Sequence, residues 1–282
     1  MAPAIESTLE VVGMAVPVFR VGPPQRPPIK HDDGFLGKFP PRQPTAADYA
    51  ELSSWIARLE VGEAIQGIPF LPKSDLPDAL AAYRHFLFGK GKDRTFSYDR
   101  YVEQDPSGKL TLANAILPAK LAAEELLSLR RSKVNGWIFQ MTSSVIPCGA
   151  DAEESPWAPL YPYPRTENWQ KAIGAHYLWM SAGVTGADNG LHTQITMQLT
   201  LHVEDRYNFN PENEDIATGI PDEANGKFEL TGLGHQYTNY ATLSRMVRWT
   251  ALSLETMSGL APLPGDGRHR RPADNRRLRN RF

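Results

Sequence analysis

Between Ile195 and Tyr207 the chain alternates in a way that places one carboxylate where it is hard to ignore. Ile195, Met197, Leu199, Leu201 and Val203 are apolar, while Thr196, Gln198, Thr200 and His202 are polar. Period two predicts a half-buried strand. If the strand continues, Asp205 and Tyr207 fall on the apolar face. A carboxylate there is costly unless it is paired, sits at the sheet rim or does chemistry. An ion pair with Arg206 or a loop arginine is the structural alternative. The polar stretch that follows, 208–229, holds Glu212, Glu214, Asp215, Asp222 and Glu223 before an Asn225-Gly226 turn signal. Carboxylates on such a loop suit a hard divalent cation, although the Asp-x-Asp-x-Asp-Gly spacing of a calcium loop is absent. A merely solvated loop is the alternative. His192 and His202 flank the strand, and either could equally be structural.

Other chemical templates fail. The chain has no Gly-x-Ser-x-Gly, Walker A, His-Glu-x-x-His or Gly-x-Gly-x-x-Gly pattern. Cys148, the only cysteine, lies between Pro147 and Gly149 and reads as a small packed residue; alone, it rules out an intrachain disulfide and a thiolate zinc cluster. With 30 Lys+Arg against 32 Asp+Glu in 282 residues, no general basic character points to nucleic acid. No apolar run reaches the length of a membrane span.

The elements that must position Asp205 read as α+β: helices first, then an antiparallel sheet. Thr45 caps a helix through about residue 59, with Tyr49, Leu52, Ile56 and Leu59 on one stripe. Pro77 opens a second helix that Gly89 ends. A third spans about 117–131. The segments VNGWIFQMTSSVI, HYLWMSAGVT and KFELTGL read as further strands, as does YATLSRMVRWTAL, while 251–257 is ambiguous. PWAPLYPYP, 156–164, reads as an ordered loop over the core. Residues 1–44 form a proline-rich arm, with eight of the 24 prolines between Pro17 and Pro44. Proline makes it extended or irregular; it is a solvated linker or a docking segment for a secretion carrier. The body spans 45–260, helical over about 45–132 and β-rich over about 133–257. Residues 261–282 form a tail with seven arginines in the last fifteen residues, solvated or in peripheral contact with anionic lipid.

Two separated segments, DALAAYRHFLFGKGKDRTFSY (78–98) and LTLHVEDRYNFNP (199–211), together resemble colicin M and its relatives. Those proteins carry an Ala-Leu-x-His-Tyr-Leu-like helix ending in Gly-x-Gly. Later they carry Asp-x-Tyr-Asp-x-Asn, then His-Arg or a lone Arg. The resemblance covers about 75–240. It implies helices packed on a partly open, β-barrel-like sheet. It also implies an antibacterial toxin that hydrolyses the phosphoester between undecaprenyl and pyrophosphate in lipid II with magnesium, in the periplasm of the target. Asp205 matches the first aspartate of the motif and Tyr207 its tyrosine.

The sequence departs from the family in two places. Asn208 stands at the second acidic position, where an amide offers neither a base nor an anionic ligand. No His-Arg pair follows Asn210. Lys227 could replace the missing cation, and Asp215 or Asp222 the missing carboxylate. The resemblance therefore implies Asp205 and Tyr207 as catalytic and Asp205 as a magnesium ligand; residue type and position alone add Asn208 and Lys227 as catalytic, Asn210, Arg206 and His202 as substrate-binding, and Asp215 and Asp222 as further magnesium ligands. The toxin reading brings an immunity protein as partner, and because the first residues lack a basic n-region and a clean apolar core and contain Glu6 and Glu10, secretion or injection is expected without a signal peptide. Two alternatives keep less of this: an envelope-targeting toxin of the same fold without lipid II hydrolysis, and a non-toxic secretion accessory protein.

Overall fold

Thr45 caps the first long helix as its type predicts: its side chain accepts from the Asp48 N–H while Asp48 accepts from the Thr45 N–H, a reciprocal capping box. In the computed structural model, which describes residues 6–7, 15–71, 73–129, 137–149, 155–188 and 192–251, the chain runs β1 (Phe19–Val21), α1 (Gly34–Lys38), α2 (Ala46–Ile65), α3 (Pro77–Phe88), β2 (Arg94–Thr95), α4 (Tyr98–Gln104) and α5 (Pro106–Leu129). It continues through β3 (Trp137–Ser143), β4 (Ile146–Cys148), α6 (Glu167–Ala172), β5 (His176–Asp188), β6 (Thr193–Tyr207), α7 (Glu223–Thr231) and β7 (Tyr237–Thr250). The class is α+β. The arginine-rich tail and 252–257 lie outside the described residues.

The sheet has the order β1-β3-β5-β6-β7-β2, with β4 beside β5. It is open, and every pair is antiparallel except β2 with β7. The alternating segment is the central strand β6. Leu199 pairs with Ala182 on one side and Arg245 on the other.

Two apolar cores flank this strand. The first takes Ile195 to Val203 of β6, Leu178 to Val184 of β5, and Ala115 to Leu126 of α5. The second takes Trp55 and Leu59 of α2, Leu80 to Leu87 of α3, Phe228 of α7, and the far ends of β6 and β7 at Tyr207, Phe209 and Tyr237. Burying an apolar side chain of this size contributes about 1.5–3 kcal/mol, so both cores hold β6 firmly.

The structure departs from the sequence expectations in three places. KFELTGL is not a strand: Asn225, Gly226 and Lys227 lie within α7, which ends at Gly232 with φ 69°. The alternation there is too short to fix a period, and packing decides. Phe228 is buried in the second core, and Glu229 bonds the Phe209 N–H and the Gln236 amide. The third helix begins at Pro106 rather than 117, and a short helix, α4, precedes it.

The proline-rich segment lies on the body, irregular as proline dictates apart from β1 and the short helix α1. β1 pairs with β3, and Phe19 is fully buried. The loop 156–164 is ordered, with Tyr161 buried and bonded to the Asn114 carbonyl.

Candidate functional site

Asp205 occupies the seam between the two cores. The preceding apolar residue on its face, Val203, belongs to the first core, and the next, Tyr207, to the second. At 1% exposure it is a buried carboxylate. The Asn239 side chain on β7, its register partner, donates to Asp205 Oδ2 at 3.0 Å. Arg94 in turn donates to Asn239 Oδ1 at 3.3 Å. The other flank is open, because β5 pairs with β6 only as far as Tyr177 opposite Glu204. From Asp205 onward, no strand among the described residues lies beside β6 there.

That gap is a depression of about 110 Å³, lined by His31, Asp32, Cys148, His176, Tyr177, Asp205, Arg206, Asn208 and Asn210 among others. It is large enough for several waters or a phosphate-sized group. Its polar groups are unevenly satisfied. Arg206 donates to Thr238 Oγ1 at 3.4 Å and to Gln236 Oε1 at 3.2 Å, yet its buried Nε has no hydrogen-bond partner among the described residues. The buried Asn210 Oδ1 has none either. A buried orphan costs about 1–3 kcal/mol, so both atoms suit a ligand or ordered water. His176 is held in place, Nδ1 toward the Gly174 carbonyl at 3.0 Å and Nε2 toward the Tyr98 hydroxyl at 3.0 Å. Cys148 is buried, and burial pushes its thiol well above the ordinary range, which makes it inert.

One wall comes from the proline-rich segment, which crosses the end of the sheet as a strap. Arg26 forks onto Glu204, Nε to Oε1 at 2.5 Å and Nη2 to Oε2 at 2.7 Å. His31 Nε2 lies 3.4 Å from the same carboxylate, and its ring meets Tyr177 edge-on at 5.6 Å. Burial alone would push the Glu204 carboxyl up. The Arg26 guanidinium, with help from His31, outweighs it and holds the carboxyl below its usual value. Beyond His31 the strap is pinned again. Asn208 Nδ2 donates to the Asp32 carbonyl at 2.9 Å and Gln236 Nε2 to the Asp33 carbonyl at 2.7 Å. Gly34, at φ 51°, is needed here: a Cβ would fall 2.1 Å from the Phe209 carbonyl oxygen.

Of the residues singled out in the sequence, the depression brings together Asp205, Arg206, Asn208 and Asn210. The others lie elsewhere. Tyr207 is fully buried in the second core, stacked on Tyr237 at 5.0 Å. Lys227 lies on α7 in an ion pair with Glu51. Asp215 is buried against Lys171 at 3.2 Å and accepts from the Thr218 N–H and hydroxyl. Asp222 is buried at the N-cap of α7 and accepts from the Asn210 N–H at 2.9 Å, so it positions the site from behind. His202 stacks on Trp179 at 3.8 Å and bonds Ser181 at 2.8 Å. Sequence reasoning missed His31, Asp32, Glu204 and Arg26. A proline-rich segment has no periodicity to announce a partner 178 residues away. The nearest available signal was Glu204, a second acid beside Asp205.

Comparison with protein-family models and with curated proteins finds no match. Among solved structures, the chain is similar to PaeM, a colicin M-like bacteriocin produced by Pseudomonas aeruginosa. The identity is 17% and the TM-score 0.32, over 67% of this chain and 59% of that one. The relationship is distant and structural, and the chain spans about 59% of that protein's length.

Proposed function

We propose that this chain is an antibacterial toxin that hydrolyses the phosphoester joining undecaprenyl to pyrophosphate in lipid II, and so blocks peptidoglycan synthesis. The observation that carries the reading is the convergence of Asp205, Arg206, Asn208 and Asn210 on one depression at the seam of the two cores. A pyrophosphate ester requires positive charge and hydrogen-bond donors around its oxygens. Arg206 brings a guanidinium to the depression, its Nη2 3.8 Å from the Asp33 carboxylate and its buried Nε without a hydrogen-bond partner among the described residues.

The reading also implies magnesium, and the donors fit it. Asp205 and Asn210 both line the depression and carry hard oxygen donors, Asn210 Oδ1 having no hydrogen-bond partner among the described residues, and magnesium needs only one or two protein oxygens beside substrate phosphate and water. Asp215 and Asp222 are committed to Lys171, Thr218 and Asn210, so Asp205 and Asn210 would hold the ion. When bound, it would neutralise charge on the pyrophosphate. Asn239 fixes one oxygen of Asp205, and Asp222 fixes the Asn210 backbone, so both donors are pre-set.

Under the same proposal the protein is secreted or injected and acts in the target periplasm, with an immunity protein protecting the producer. The proline-rich segment ahead of the strap would meet a carrier.

The test incubates purified protein with lipid II and magnesium, beside periplasmic expression of wild type and Asp205→Ala. Free undecaprenol and a growth defect from wild type alone support the reading. Intact lipid II with wild type refutes it. The amide at Asn208 favours a second reading, an envelope toxin of the same fold without hydrolysis. Growth inhibition unaffected by Asp205→Ala would select that one.

A further inference from the structure

With Asp205 held by Asn239 and assigned to magnesium, the motif supplies no second carboxylate to take the proton of the attacking water, because an amide stands at 208. The strap brings a carboxylate to that place. We infer that Asp32 is the second catalytic carboxylate of this site, an inference that rests on the hydrolase reading above. Asp32 lines the same depression as Asp205. The amide at 208 is what anchors it: Asn208 Nδ2 donates to the Asp32 carbonyl at 2.9 Å, which a carboxylate at 208 could not do. The acid missing from the motif and the acid on the strap therefore belong to one arrangement.

The strap is built to hold that position. Asp32 Oδ1 accepts from the Gly34 N–H at 3.1 Å, which orients the carboxyl group. Gly34 packs against the Phe209 carbonyl so closely that no side chain fits. Upstream, Arg26 and His31 clamp on Glu204, next to Asp205 in β6. The two carboxylates differ in surroundings: Asp205 is buried and held by Asn239, whereas Asp32 is exposed. Different surroundings give paired carboxylates different tasks. Asp32 takes one proton from the attacking water, and the water oxygen bonds to phosphorus. The phosphorus–oxygen bond to the prenyl alcohol breaks, and the proton passes to the departing prenyl oxygen. Water is consumed, one alcohol and one pyrophosphate product form, and no other reactant is required.

The test measures lipid II turnover by wild type, Asp32→Asn and Asp32→Glu, with melting temperature and protection by lipid II against thermal unfolding. Asp32→Asn keeps an oxygen for the Gly34 N–H, so it removes the charge and spares the turn. General base catalysis contributes about 100-fold or more, and kcat should fall by that factor with KM unchanged. Melting and protection by lipid II should match wild type, and Asp32→Glu should recover part of the rate. Full turnover by Asp32→Asn overturns the inference. So does a loss accompanied by lowered melting and no recovery in Asp32→Glu, which would mark a structural role. Absent turnover in wild type defeats the hydrolase reading itself, a distinguishable result.

Discussion

Removing the Arg26 side chain tests whether the strap is held by charge. Arg26→Ala leaves Glu204, with 4% of its side chain exposed, facing only His31 among the partners described. Breaking a buried ion pair costs about 3–5 kcal/mol and an exposed one about 0.2–1 kcal/mol. The Arg26 side chain is 47% exposed, which places this pair between the limits, and about 2 kcal/mol is the reasonable middle value. For a domain of this size each kcal/mol lowers the melting temperature by about 2–4 °C, so the variant should melt about 6 °C lower near neutral pH. The sign of the pH dependence follows from Glu204. Its carboxyl is held below the usual 4.5 in the fold, so the stabilisation is fully present above that value and is lost as pH falls through the depressed one. The gap between wild type and variant should therefore narrow on acidification to below about pH 4. Thermal melts followed by tryptophan fluorescence at both pH values measure it. Coincident melts near pH 7, or a gap that does not narrow in acid, would refute the argument.

Three further outcomes follow from neighbouring features. Gly34→Ala should displace the strap, because its Cβ would meet the Phe209 carbonyl oxygen; we expect a loss of about 1–3 kcal/mol in chemical denaturation and loss of turnover, with far-ultraviolet circular dichroism unchanged. Lys171→Met should cost about 3 kcal/mol or more by urea unfolding, since Lys171 and Asp215 are both nearly fully buried; a change below about 1 kcal/mol would show the pair to be dispensable. For His202, burial lowers the imidazole pKa below 6.5 and Glu204 only partly opposes it. The unfolded chain then binds the proton more readily, so stability should decline as pH falls through 6.5. His202→Gln should flatten that decline in melts across the range, and an unchanged slope would count against it.

The readable parts of this fold share one property: their partners lie close in sequence or repeat periodically. Thr45 and Pro77 announced helix starts because capping is local. The alternation from Ile195 to Val203 announced β6 because burial on one face imposes period two. Asp205, Arg206, Asn208 and Asn210 line one depression because they leave the same strand end together. Asp32 and Glu204 were not legible, since their value depends on a strap meeting a strand far along the chain. Tyr207 and Lys227 followed the motif and the loop, yet their directions are set by tertiary packing against Tyr237 and Glu51. The helix α7 was read as a strand because the seven residues of KFELTGL cannot fix a period, and Glu229 decides the matter through Phe209 and Gln236.

The strap also bears on the order in which the molecule can be built. Arg26 is synthesised 178 residues ahead of Glu204, and Asp205 gains its Asn239 hydrogen bond only 34 residues after that. Domains generally form as units while the chain is made, from the N-terminal side, but here the proline-rich segment must wait for a strand 178 residues further on. Contacts that close such long loops are slow to form. A chain made only as far as Glu204 therefore carries separate fragments of the depression, and its parts come together only once Asn239 has been added.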